Sequence, residues 1–259
     1  MLDAAVLFRL AEEAGLGSAS IVVQRLRTND EPVLLRPGAA VYPASMIKVP
    51  IAMALADRVR RGEEHYERLV TVDAANLTAN DAASPCAPGR ALALGELTRA
   101  AISRSDNVAT NVLIDVLGRD AITRYCHSIG LDGTAVRRKL SGALPLIDDP
   151  EASGRNAHPA RDAARAFVRL ARATDDASNL VRDALAKQHW NDKLSEGLRP
   201  GDFAHKTGET DETSHDGGIL TLPSGHRYVI VVYTDLRAAP ENDARLRDFA
   251  RNLRPFLDY

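Results

Sequence analysis

Aromatic side chains make up only 5% of this 259-residue chain, and cysteine occurs twice. Cys86 and Cys126 form no CxxC, and no His/Cys group has zinc spacing. A structural zinc site is thereby excluded, and of the two arrangements open to a pair of cysteines, one disulfide or two free thiols, two free thiols are expected. No apolar run approaches the roughly 18 residues of a spanning helix. Neither sign of charge is in excess: 33 basic and 35 acidic residues leave a net charge of −2. That gives no electrostatic reason to expect nucleic acid or an anionic membrane as partner. The short cluster Arg137-Arg138-Lys139 reads as solvated surface. A dinucleotide loop is also missing, since Gly15-Leu16-Gly17 lacks both the third glycine and a preceding strand. The opening "MLDAAVLFRLAEEAG" interleaves apolar residues with acids at helical spacing. It reads as an amphipathic helix and not as a basic region followed by a hydrophobic one. The expectation is a cytoplasmic protein, or a periplasmic one if the chain was trimmed.

What is present is an ordinary globular composition, 45% hydrophobic and 26% charged, at a length that buries one large core or two intimately packed ones. "SASIVVQRLR" and "VLLRPGAAVYP" read as two strands joined by the turn Asn29-Asp30-Glu31-Pro32. From Ser45 the pattern turns helical through "SMIKVPIAMALADRVRRGE", "LGELTRAAISRSD", "NVATNVLIDVLG" and "DAITRYCHSIG". The irregular piece "VTVDAANLTANDAASPCAPGRAL" interrupts it. Leu131 to Pro159 has little periodicity and is longer than an ordinary connection, which marks a functional loop. Helix resumes in "PARDAARAFVRLARA" behind Pro159. "FAHKTGE", "GGILTLP" and "RYVIVVYTD" then read as strands, and "ENDARLRDFARNLRPFL" as a closing amphipathic helix. Strands at both ends and helices between them predict an α+β architecture, an antiparallel sheet flanked by the terminal helices with an all-helical domain inserted. The expected division is 1–42 with 185–259 for the sandwich and 43–184 for the helical domain, with a cleft between them.

Three short motifs carry chemistry. In "YPASMIKVP", Ser45 and Lys48 share one face of a helix turn. A serine hydroxyl is a weak nucleophile until a base takes its proton. A lysine desolvated by Met46, Ile47, Val49 and Ile51 loses preference for its charged form and becomes such a base. The plain alternative is a capping serine beside a snorkelling lysine. In "SRSDNVATN", Ser105-Asp106-Asn107 breaks two helical segments, which projects a hydroxyl and an amide into a cleft or simply caps a helix. In "HKTGET", Lys206-Thr207-Gly208 sits on a strand, where glycine admits close approach and the lysine and hydroxyl suit an anion. The plain alternative there is a charged strand edge.

Taken together, SxxK, SDN and KTG occur in that order, with 60 residues from Ser45 to Ser105. The set resembles the serine β-lactamase and penicillin-binding protein superfamily, and class A β-lactamases above all, along nearly the whole chain, including "SDNVATNVLIDVLG" and "DGGIL". The resemblance implies Ser45 as the acylated nucleophile and Lys48 as its base or part of a relay. It implies Ser105 as the hydroxyl that passes a proton to the leaving nitrogen, with Lys206 beside it. Asn107 would donate to the substrate's side-chain amide. Lys206 and Thr207, beside Gly208, would hold the substrate carboxylate. The backbone N–H groups of Ser45 and Glu209 would form the oxyanion hole, where one donor is worth about 3–4 kcal/mol. No metal and no organic cofactor are implied. The expected partner is a small-molecule substrate, and a monomer is the expectation.

The chain departs from the family in one place. Class A β-lactamases carry a glutamate in an ExxLN stretch that activates the deacylating water. Here the corresponding stretch is "RRKLSGALPLIDDPEASGRNAHPARD", and the glutamate's place falls near Leu140 or Ser141. Asp148, Asp149 and Glu151 follow and are the candidate substitutes, though an acidic turn is ordinarily solvated. Asn156 and Pro159 resemble the end of the family's loop. Glu209, Asp211 and Glu212 would repel an anionic substrate if they pointed inward. The expected activity is acyl transfer through an acyl-serine on a β-lactam or related amide, with slow deacylation. Its rivals are a penicillin-binding-protein-like peptidase or esterase, and a sensor that stays acylated. A Ser-His-Asp site has less support: the seven histidines are scattered and no GxSxG elbow exists, which leaves His205 and His215 as the two that fall beside the cleft. Trp190 is read as core or cleft wall.

Overall fold

The computed structural model describes residues 2–27 and 31–257. Asn29 and Asp30 of the expected hairpin turn lie outside the described residues. The elements run α1 (Ala4–Glu13), β1 (Ser20–Arg25), β2 (Val33–Leu35), α2 (Lys48–Arg60), β3 (Leu69–Thr71), β4 (Ala91–Ala93) and α3 (Leu94–Ser103). They continue with α4 (Asn107–Leu117), α5 (Arg119–Ser128), α6 (Ala160–Arg172), α7 (Asp176–Ala186) and α8 (Leu194–Gly197). The chain closes with β5 (Asp202–Glu209), β6 (Ser214–Thr221), β7 (Arg227–Tyr233) and α9 (Pro240–Leu253). Sequence reading missed α7, and also the small β3–β4 hairpin inside the stretch read as irregular.

The sheet is antiparallel throughout, in the order β2-β1-β7-β6-β5. Its residues alternate between two cores, as a strand's period of two requires. Ile21, Val23, Ile230 and Val232 pack with Leu7, Leu10, Leu246 and Phe249 of the terminal helices. Val22, Val229, Val231 and Tyr233 pack against the helical side, with Ile51, Phe167 and Leu170 among their company. Both faces are therefore covered, which explains why "VIVV" in β7 is continuously apolar. Cys86 and Cys126 are buried and free, as expected. No helix among the described residues is long and apolar enough to cross a membrane.

Caps set the helix starts that matter to the cleft. Asp106 opens α4 by accepting from the Ala109 N–H at 2.9 Å, the usual service of an N-cap carboxylate. Pro159 stands immediately before α6. The long loop from 137 to 156 is gathered at its neck. Ala135 and Ala157 form a bridge, and the buried Asn156 side chain accepts from the N–H groups of Arg137 (2.7 Å) and Arg138 (3.1 Å) and donates to the Arg138 carbonyl (3.1 Å). Asn156→Ala removes the partner of these part-buried backbone groups and is expected to cost about 1–2 kcal/mol. Hydrogen exchange should show the loss of protection concentrated in 137–156; an even loss across the chain would count against this account of the neck.

Candidate active site

Ser45 lies in a 3₁₀ turn, Ala44–Ile47, that leads into α2. Ala44 holds a left-handed φ of +46°, an uncommon conformation for a residue with a side chain and one that clusters at functional sites. Ser105, between α3 and α4, holds φ +59°. β5 runs alongside as an edge strand, so among the described residues its outer backbone groups have no strand neighbour. Gly208 permits this approach: a Cβ there would stand 3.0 Å from the Pro43 carbonyl and 3.1 Å from Met46.

These three segments meet in a recess of ≈ 40 Å³ lined by Ser45, Asp81, Ser105, Trp190, Thr207, Gly208 and Glu209. It opens into a wider cleft of ≈ 570 Å³ that includes Tyr42, Asn107, Arg138, Leu140 and Arg155. Trp190 is thus cleft wall. Two buried lysines converge on one hydroxyl. Lys48 Nζ donates to Ser105 Oγ at 3.0 Å, to Asn107 Oδ1 at 2.8 Å and to the Ser105 carbonyl. Lys206 Nζ donates to the same Oγ at 2.9 Å and to the Thr207 carbonyl at 2.7 Å. Among the described residues no hydrogen bond joins Lys48 to Ser45.

Burial, followed by the nearby charge of Lys206, pushes Lys48 well below the usual lysine range, while Asp106 and Asp81 oppose the shift. Its three acceptors suit the three N–H bonds of an ammonium. Desolvation and hydrogen bonding therefore pull in opposite directions. Burial also lowers Lys206, to about 7, against the pull of Asp216.

Asn107 is fixed by its neighbours. Its N–H donates to Asn80 Oδ1 at 2.6 Å and its Nδ2 to the Ala79 carbonyl at 2.9 Å. Asn111, one turn on, accepts from the Leu140 N–H at 2.7 Å and donates to the Leu140 carbonyl at 2.9 Å. That clamp sets Leu140 into the cleft lining.

The proposed substitute acids are elsewhere. Asp149 pairs with Arg119 and accepts from the Lys139 N–H at 2.7 Å, and Glu151 pairs with Arg119 at 2.6 Å. Neither these two nor Asp148 lines the cleft among the described residues. The histidines are also structural. His205 Nδ1 lies 2.7 Å from Asp216, and its Nε2 3.1 Å from Asn191. His215 Nε2 donates to the Tyr42 carbonyl at 2.7 Å while Nδ1 accepts from the Thr234 N–H, and burial lowers it to about 4. Neither reaches Ser45 or Ser105.

Two surface expectations are corrected. Arg138 and Lys139 line the cleft instead of facing only solvent. The acids after Gly208 are mostly neutralised: Glu209 pairs with buried Lys193, and Glu212 pairs at 2.8 Å with Arg155, whose guanidinium lies 4.3 Å over the Tyr42 ring. Asp81, Arg138, Arg155 and Tyr42 went unread as site residues because nothing in their spacing points to a common locus.

The sequence matches the β-lactamase enzyme family over residues 4–256. A β-lactamase of Streptomyces fradiae is 31% identical over 216 residues, covering 78% of this chain and 68% of that one. An ancestral class A β-lactamase structure superposes with a TM-score of 0.82 at 25% identity, covering 96% of this chain and 98% of that one. A variant of PBP-A, solved as an acyl-enzyme complex with penicillin G, superposes with a TM-score of 0.84 at 20% identity, covering 99% and 98%.

Proposed function

The chain belongs to the β-lactamase enzyme family, and from that premise we propose a serine hydrolase that opens β-lactams through an acyl-enzyme on Ser45 and releases the product slowly. The observation that carries the reading is the convergence of two buried amines, Lys48 and Lys206, on Ser105 Oγ in the recess that holds Ser45.

Ser45 Oγ attacks the lactam carbonyl, and its proton passes to the neutral form of Lys48. The carbonyl oxygen takes the negative charge under the N–H groups of Ser45 and Glu209. As the C–N bond breaks, the nitrogen takes a proton from Ser105 Oγ, which is resupplied by Lys48. The ammonium form of Lys206, with Thr207, holds the substrate carboxylate. Asn107 meets the side-chain amide. The later proton transfer uses groups already in hydrogen-bond reach, Lys48 and Lys206 on Ser105 Oγ, whereas the first requires Lys48 to turn from Ser105 toward Ser45. Release requires water and a positioned base. The place of the family's glutamate falls near Leu140 or Ser141, neither of which is a carboxylate, and the acids that follow are held by Arg119 or lie outside the cleft. Intact-mass measurement after mixing with penicillin G tests the reading: a one-to-one adduct that outlasts mixing is expected, and neither adduct nor hydrolysis sinks it.

The pH profile follows from Lys206. Below about 7 it is an ammonium that holds the carboxylate; above, it is a neutral amine that does not. Second-order acylation by an anionic penicillin should therefore fall about tenfold per pH unit above that point, since kcat/KM reports the free enzyme. Lys206→Arg, charged throughout, should remove this limb. An unchanged limb in that variant would assign it to another group.

A further inference from the structure

Among the charged side chains of the cleft, most are already paired. Glu209 is held by Lys193, Glu212 by Arg155, and Lys139 by Asp115 at 2.8 Å. Arg138 and Asp211 line only the wider, outer part. Asp81 differs from all of these. It is exposed, lines both the recess beside Ser45 and the wider cleft, and makes no ion pair or side-chain hydrogen bond among the described residues.

Its place is built, not incidental. Asn80, the preceding residue, accepts from the Asn107 N–H at 2.6 Å, and the carbonyl of Ala79 accepts from Asn107 Nδ2 at 2.9 Å. Thr78 Oγ1 accepts from the Gly142 N–H at 2.8 Å. The segment carrying Asp81 is thus tied both to the turn that bears Ser105 and to the loop that bears Leu140. A free carboxylate is held where a ligand passes from the catalytic recess into the cleft.

The buried Lys48 and Lys206 are counter-charges to it. Both feel its field, which raises the pKa of each. They are committed elsewhere, Lys48 to Ser105 and Asn107 and Lys206 to Ser105. When a substrate carboxylate occupies Lys206, Asp81 is left with charge to neutralise. A ligand that supplies a cation at this point gains an ion pair, and one that supplies an anion meets repulsion.

Resting on the β-lactam reading above, we infer that Asp81 is a specificity-determining residue that selects acyl side chains bearing an ammonium group close to the amide that Asn107 receives. The favoured substrate class is a β-lactam acylated by an amino acid, anionic at its ring carboxylate and cationic in its side chain.

Ampicillin and penicillin G differ by one such α-amine and serve as the probe pair. Their acylation rates are measured by intact mass below neutrality, where the amine is charged, in the wild-type protein and in Asp81→Asn and Asp81→Lys. The wild type should favour ampicillin about fivefold, the yield of one partly exposed ion pair. Asp81→Asn should bring the ratio close to unity, and Asp81→Lys should invert it. The readout is a ratio within each protein, so an overall change in rate or folded fraction cancels. Adducts with both penicillins and a ratio unaltered by either substitution overturn the inference while leaving the enzyme's function standing. Neither adduct nor hydrolysis with either penicillin in the wild type overturns both; if hydrolysis outruns the adduct, the same ratio is read from kcat/KM.

Discussion

Ser45→Ala is expected to abolish the covalent adduct and to lower β-lactam turnover by about 10⁵–10⁶-fold, the scale seen when a serine nucleophile is removed. Ser45 sits in a 3₁₀ turn whose neighbours Ala44, Met46 and Ile47 are buried. Loss of one hydroxyl from a half-exposed position leaves that packing intact, so circular dichroism and the thermal midpoint should be nearly unchanged. Peptide mapping of the wild-type adduct should place the label on Ser45. Label on Ser105, which the two lysines address directly, would reverse the roles of the two serines.

The second large effect concerns release. Wild-type protein should give a burst of one equivalent followed by slow turnover, because a positioned general base typically contributes about 10²–10⁴-fold, or roughly 3–5 kcal/mol of barrier. Leu140→Glu restores a carboxylate where the cleft wall is apolar. The backbone there is clamped at both its N–H and its carbonyl by Asn111, so the new side chain has a fixed point of departure. Deacylation is expected to quicken by about 10²-fold in that variant, with the burst shrinking and the acylation rate little altered. The 6% exposure of Leu140 means that a buried carboxylate also lowers stability, by about 1–3 kcal/mol. Steady-state hydrolysis by the wild type with no accumulating adduct would show that another base serves. An unaccelerated Leu140→Glu variant that folds and still acylates would show that the water is not activated from this side.

Much of the architecture was legible because periodicity writes it down. The apolar runs of β1 and β7 report a sheet covered on both faces, and Pro240 with Glu241 and Asp243 marks the start of α9. α7 was missed although Asp175 caps it at 2.9 Å from the Ser178 N–H, because its stretch "DASNLVRDALA" carries few large apolar residues. The β3–β4 hairpin was missed because strands of three residues carry too short a pattern to count.

The SxxK, SDN and KTG motifs could be read from sequence because each is local and its chemistry depends on residue type at fixed spacing. Sequence by itself determined which hydroxyls and amines this protein brings to its cleft, and that no glutamate stands in the usual place after them. It did not determine which charges face one another. Asp149 follows Leu140 closely in the chain, yet Arg119 on α5 holds it away from the cleft. His205 is next to Lys206, but strand alternation turns its ring toward Asp216 and Asn191. Asp81, in a polar stretch with no pattern, reaches the recess only because Asn80 and Thr78 are tied to two distant segments. Ion pairing and burial depend on groups far apart in sequence, and only the tertiary structure decided them.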